Sequence, residues 1–388
     1  MVLMALDHSR DFFGDIRIPP ENVATTTTVL FFTRWVTHLC APTFLLLAGA
    51  SAWLHGQKLQ NRTELSKFLI TRGLWLLFLE FTVVRFALLF SLTLGPWFFI
   101  VIAAIGSSMV LLGVACWLPD RAVLGLGIAI VCGHNLLDAV SEETAASLGW
   151  LWTALLRPGY IPSANMAVGY PILPWFGVMA LGYGLSPWLA QSPEKRKAFA
   201  FRLGLIFFAT FLALRIVNVY GDPQPWEQQP VAQTAAGAEE TSSTEVDWMR
   251  TSFSFLATAK YPPSLLFVLM TIGLSLLLLS LFEQLGSESG LVRFLKVFGS
   301  VPLFFYILHF YLLHLGAWAI YWVRKGVLIS PMHIDAVEEV PPEYGFYGPY
   351  WLVQVYVGWI IVLAVLFPLC LMYRAHKRRA KSRIWSYL

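Results

Sequence analysis

Ten apolar runs divide the chain, at residues 1–9, 27–54, 69–92, 96–118, 122–140, 170–190, 199–219, 262–283, 299–323 and 350–373. A bilayer core of about 30 Å needs ~20 mainly apolar helical residues per crossing. All but the first run come close to that length or exceed it. The first is too short to span, so the chain is expected to begin inside its first helix. Composition agrees: charged residues make up 13% of the sequence, where soluble domains carry roughly 25%. So few charges cannot cover a soluble surface of this size. The reading is an all-α integral membrane protein of about ten transmembrane helices. It forms one polytopic domain over residues 1–388.

Loop charges give the expected orientation. Lys58, Arg62, Lys67 and Arg72 cluster in and just after one loop, Lys195, Arg196, Lys197 and Arg202 at another, and Arg293 and Lys296 in a third. The tail carries Arg374, Lys377, Arg378, Arg379, Lys381 and Arg383. These alternate with loops that are acidic or neutral, including Glu239, Glu240, Glu245 and Asp247, and Asp335, Glu338, Glu339 and Glu343. By the positive-inside rule the basic set, with the C-terminus, is cytoplasmic. The net charge of +4 reflects this asymmetry and implies no nucleic-acid partner. The stretch at about 220–250 is polar and low in complexity, and reads as a mobile outer loop.

Ionisable groups inside a bilayer are costly and mark sites or pathways. Here they are Asp7, His8, Arg34, His38, Glu80, Arg85, His134, Asp138, Arg215, His309 and His314. Histidine dominates, and an imidazole near neutral pH is the natural general base for a hydroxyl or amine. Asp7 beside His8 could orient it, although adjacent helical residues point ~100° apart. Arg34 and His38, and likewise His134 and Asp138, are four apart and share a helix face. A helix-end hydrogen bond accounts for the second pair as well as a ligand role does. Arg85 and Arg215 could clamp an anionic group or snorkel to the interface.

No P-loop, GxGxxG, HExxH or GxSxG stands in a supporting context. Asp7, Asp11 and Asp15 could seat a divalent metal, as a glycosyltransferase using a lipid-linked sugar would require. A non-enzymatic transporter or flippase is the other rival, weakened by the lack of an internal repeat.

Several segments together resemble the bacterial relatives of heparan-α-glucosaminide N-acetyltransferase. They are Met1–His8, Phe31–Gly49, Gly133–Asp138, Tyr170–Tyr183, Asn218–Trp226, Lys260–Ser264 and Gly299–His309. The resemblance implies a transmembrane acyltransferase that takes acetyl-CoA, or another acyl-CoA, as co-substrate from the cytoplasm. The lysosomal family member acetylates a terminal glucosamine on the far side of its membrane. In the wider group that O-acylates bacterial surface glycans, a histidine in the first helix is matched here by His8. The lysosomal enzyme's catalytic histidine follows the first helix, yet residues 9–37 hold no histidine. His8 and His38 are the replacements nearby.

The expectation is therefore a multi-pass protein of the bacterial inner membrane that moves an acetyl or short acyl group onto a hydroxyl or amine of an outward-facing glycan. His8 is the expected base and Asp7 its orienting partner. Arg34, His38, Arg85, His134, Asp138, Arg215, Lys260 and His309 are expected to line a tunnel for acyl-CoA and acceptor. No metal is expected. The expected partners are membrane lipid and a glycan or amino-sugar acceptor, and a homodimer is compatible with the sequence.

Overall fold

The structure, a computed structural model, describes residues 1–15, 18–230, 246–286, 288–326 and 350–379. The chain is an all-α membrane protein, and each of the ten apolar runs carries a helix. In chain order these are α1 (Val2–Phe13), α2 (Thr28–Thr37), α3 (Cys40–Leu59), α4 (Arg62–Leu79), a π-helical turn (Glu80–Val84) and α5 (Arg85–Leu89). They continue with α6 (Val101–Ala115), α7 (Asp120–Gly133), short α8 (Glu142–Leu148) and α9 (Trp150–Leu155), α10 (Ile172–Leu189) and α11 (Pro193–Val217). After α12 (Trp248–Leu256) come α13 (Leu265–Leu285), α14 (Gly290–Gly299), α15 (Pro302–Lys325) and α16 (Trp351–Arg379). Three three-residue strands, β1 (Trp97–Phe99), β2 (Gly159–Ile161) and β3 (Met166–Val168), form a small sheet of order β1-β3-β2.

Among the described residues seven helical stretches are long and apolar enough to cross a membrane. Of the other runs, α1 is short and α6 covers only part of 96–118. The 69–92 run belongs to a helix that starts earlier, at Arg62, because the Asn61 side chain accepts from the Thr63 and Glu64 amides and caps it there. The 27–54 run is one span broken at His38 and Leu39, between α2 and α3. Pro42 explains the break: it has no N–H to offer the carbonyl four residues back.

The core is built around α10, whose residues Pro174–Ser186 are all buried. α10 packs on α3, α7 and α6, while α4 pairs with α6 and α11 with α13. Small residues let these backbones touch. A Cβ on Gly49 would meet the Met179 carbonyl oxygen at 2.0 Å, and one on Gly182 would meet that of Leu46 at 2.0 Å. Gly73 and Gly106 make the same reciprocal contact between α4 and α6. A second group packs α1 against α16, α15 and α2.

The turns between α3 and α4, α10 and α11, and α13 and α14 hold or adjoin the basic residues and define one end of the bundle. The described residues of 14–27, 134–171 and 218–264 define the other. The low-complexity part of the expected mobile loop lies outside the described residues, as does the acidic stretch 335–343. The flanks of that loop are packed, with Pro230 and Val246 in an isolated bridge.

Candidate active site

The end away from the basic turns holds a cavity of about 230 Å³ between α2 and the loop before α13. Arg34, Trp35 and His38 line it from α2 and the turn after it, and Thr258, Lys260 and Tyr261 from the loop. Thr27 starts α2 by accepting from the Leu30 amide at 3.3 Å. The break after Thr37 then leaves His38 at the end of the first helical segment, one turn beyond Arg34 and on the same side. The shared face expected from their spacing is therefore found in the cavity wall.

The loop carrying Lys260 is fixed from behind. Asp222 accepts from the Ala259 amide at 2.9 Å and the Ser264 hydroxyl at 2.7 Å. Ser264 in turn caps α13, accepting from the Phe267 amide at 3.0 Å. Asn135 accepts from the Leu265 amide at 2.9 Å. Arg215 donates to the carbonyls of Ser254, Phe255, Gln224 and Ala257 at 2.5–3.0 Å. Lys260, 8% exposed, lies 5.0 Å from the Tyr261 ring centre and 5.9 Å from that of Tyr170. These contacts are within the range where ring faces attract a cation.

A ladder of alternating charges runs from the cavity to α1. Arg34 donates from one terminal nitrogen to both oxygens of Asp7, at 2.7 and 2.8 Å, and from Nε to Glu21 at 2.5 Å. Thr37 donates to Asp7 at 3.0 Å. Arg10 reaches Asp7 at 3.2 Å and Asp11 at 2.7 Å. The expected Asp7–His8 pair is not formed. Consecutive helical residues diverge by ~100°, and Asp7 is taken up by arginines and a threonine. His8 instead meets His309, with its Nδ1 2.6 Å from His309 Nε2, and its ring stacks on Phe310 at 4.4 Å.

Five expected tunnel residues, Arg85, His134, Asp138, Arg215 and His309, are absent from the lining of this cavity, and each makes hydrogen bonds elsewhere, His309 to His8 and to the Phe305 carbonyl. Arg85 donates to the carbonyls of Ser91, Gly95 and Pro96, closing the turn ahead of β1. His134 bonds through Nδ1 to the carbonyls of Ile130 and Val131, the helix-end alternative. Asp138 is bound by Asn135 and Arg157. Arg215 holds the cavity wall from outside through its four carbonyls. His314 makes an interhelical bond to the Ala87 carbonyl at 3.0 Å. Glu80, buried, accepts from the Ile100 amide at the start of α6.

Trp35, Thr258, Tyr261 and Glu21 were not singled out from the sequence. Of these, Trp35 lies within the Phe31–Gly49 segment and Tyr261 within the Lys260–Ser264 segment that carry the resemblance. The indole Nε1 of Trp35, the Thr258 hydroxyl and both ring nitrogens of His38 are buried without a hydrogen-bond partner among the described residues. Buried polar atoms are nearly always satisfied in a working protein, by protein or by water, so these four atoms on three residues of one cavity wall have hydrogen-bonding capacity that a polar ligand or water could use. Among the described residues no three His, Cys, Asp or Glu side chains group as a metal site. Asp7 and Asp11 are engaged by guanidinium groups, which compete with a cation for the same oxygens.

The family model described as heparan-alpha-glucosaminide N-acetyltransferase, catalytic, matches residues 1–217, more than half of the 388. No curated protein and no solved structure matches the chain.

Proposed function

The chain belongs to the heparan-α-glucosaminide N-acetyltransferase family, and from that premise we propose that it transfers an acetyl or short acyl group from acyl-CoA to a hydroxyl or amine of a glycan held in the Arg34–His38–Lys260 cavity. The observation that carries the acceptor half is the set of unpartnered polar atoms on Trp35, His38 and Thr258. At about 30 Å³ per water, the cavity has the volume of roughly eight waters. That suits one sugar ring presenting hydroxyls to an indole N–H, an imidazole, a threonine and an ammonium.

His8 is the proposed base. It does not line the cavity; its neighbour on α1, Asp7, is joined to the cavity wall through Arg34. In the proposed step His8 takes the acceptor's O–H or N–H proton as the acceptor heteroatom attacks the thioester carbonyl. The carbon–sulfur bond breaks, and the leaving thiolate takes the proton back from His8. The products are acylated acceptor and CoA thiol. The proposed topology follows loop charge: the basic end with the C-terminus in the cytoplasm of a bacterial inner membrane, the cavity on the outer side. Acyl-CoA arrives from the basic end.

The test is thermal unfolding of the purified chain with 1 mM acetyl-CoA, together with thiol release on adding glucosamine. A ligand at a hundred times its Kd stabilises by about 2.7 kcal/mol. A thermal shift and glucosamine-dependent thiol release support the reading. The absence of any shift sinks the donor assignment. Release without an acylated sugar moves the acceptor elsewhere. Vesicle flux of a glycan without thiol release returns the transporter reading.

A further inference from the structure

The bond between α1 and α15 fixes more than the position of His8. His309 Nδ1 lies 3.2 Å from the carbonyl oxygen of Phe305, one turn back on its own helix. A carbonyl can only accept, so this nitrogen must carry the proton. In the neutral ring the other nitrogen, Nε2, then holds a lone pair. Nε2 is the atom 2.6 Å from His8 Nδ1, so His8 must be the donor across that contact. A neutral His8 protonated on Nδ1 has its own lone pair on Nε2. The tautomers follow in sequence from one backbone carbonyl.

We infer that His309 is a positioning residue that locks His8 in the Nδ1–H tautomer and leaves His8 Nε2 as the basic nitrogen. The assignment deepens the reading of His8 as base and rests on it for its catalytic consequence; the tautomer itself does not. His309 fills the place that a carboxylate takes in many hydrolytic triads, holding an imidazole by the nitrogen that does not react. It differs in being neutral. It accepts the His8 proton without a countercharge, and the stacking of His8 on Phe310, at 4.4 Å between ring centres, completes the orientation. When His8 Nε2 takes a proton, the Nδ1–H can shift toward His309 Nε2, so the charge is shared over two rings.

The experiment uses the full-length chain in lipid nanodiscs, labelled with ¹⁵N-histidine, and identifies the His8 signals by their loss in His8→Gln. Nitrogen chemical shifts separate protonated from lone-pair ring nitrogens. Wild type is expected to show His8 protonated on Nδ1. His309→Gln keeps an acceptor near the position of Nε2 and should preserve that tautomer. His309→Phe keeps a ring for stacking but no acceptor, and should move His8 toward Nε2–H.

Kinetics with acetyl-CoA and glucosamine then read the consequence. His309→Phe should lower kcat by about 10²–10³-fold, within the range of lost general-base assistance, with KM for glucosamine unchanged. His309→Gln should stay within about tenfold of wild type. A wild-type His8 protonated on Nε2 overturns the inference, as does an unchanged tautomer in His309→Phe. Equal loss in the Gln and Phe variants, with both folded by thermal unfolding, also overturns it, because His309 would then act by its own proton chemistry. The expected tautomer combined with full transfer by His8→Gln supports the lock and sinks His8 as the base.

Discussion

Arg34 and Arg215 are both buried guanidiniums at the same end of the bundle, used in opposite ways. Arg34 spends its donors on two carboxylates, Asp7 and Glu21, and lines a cavity with polar atoms left over. Arg215 spends its donors on four main-chain carbonyls and closes the loop behind that cavity. Arg85 repeats the Arg215 pattern on another turn. A buried arginine in a membrane helix is therefore not by itself a ligand clamp. What separates the two uses is the partner: carbonyls immobilise chain, whereas carboxylates beside open space build a charged wall that a ligand can meet.

The contrast breaks first on chemistry. His8→Ala should lower turnover with acetyl-CoA and glucosamine by 10²–10⁴-fold while the thermal shift with acetyl-CoA persists. His38→Ala, which alters only the cavity wall, should raise KM for glucosamine instead. If His38→Ala abolishes transfer and His8→Ala leaves it intact, the base is His38.

The next effect is on stability. Among the described residues, Arg34→Met leaves Asp7 with only Arg10, at 3.2 Å, and the Thr37 hydroxyl, and losing one partner of a buried pair costs up to about 3–5 kcal/mol. Adding Asp7→Asn should restore part of that in chemical denaturation, since the carboxylate charge is then gone. Arg215→Met should cost roughly 3 kcal/mol through carbonyls left without donors. No second substitution of a side chain can rescue it, because its partners are main chain. Equal rescue behaviour in the two cases would erase the distinction.

Lys260→Met should raise KM for the acceptor by about ten- to a hundredfold, the worth of one charge-assisted hydrogen bond, with acetyl-CoA stabilisation unchanged. The smallest effect concerns Glu21, in the segment between α1 and α2. Burial opposes its ionisation, but the Arg34 guanidinium prevails and holds its carboxyl below the usual value of 4.5. A lowered folded pKa means stabilisation that is whole above about pH 4.5 and is lost as the pH falls through the folded value. Glu21 is half-exposed, so Glu21→Gln should cost no more than about 1 kcal/mol at pH 7. The cost should shrink in thermal unfolding as the pH is lowered below 4.5 and the carboxyl takes up its proton.

Which features were legible in the sequence follows from their range. The helices were, because apolar runs of membrane length admit little else, and so was the shared face of Arg34 and His38, which lies within one helical turn. The capped start of the fourth helix at Asn61 and the break after Thr37 needed local hydrogen-bond detail that hydropathy averages away. The His8–His309 bond spans 301 positions, beyond any spacing rule. The carbonyl partners of Arg85 and Arg215 carry no side-chain signature at all, since every residue has a carbonyl. Adjacency in sequence suggests a pairing of Asp7 with His8, whereas helix geometry turns Asp7 toward Arg34.

The glycine crossings bear on how such a site could open. Where Gly49 and Gly182 bring α3 and α10 into main-chain contact, and Gly73 and Gly106 do so for α4 and α6, there is no compliant layer of side chains to shear. Those pairs are struts. Compliance is left to the places where the regular ladder is already interrupted, the turn at His38–Leu39 and the π-helical turn Glu80–Val84. One of these two joints carries a cavity residue, so bending there would carry His38 with it.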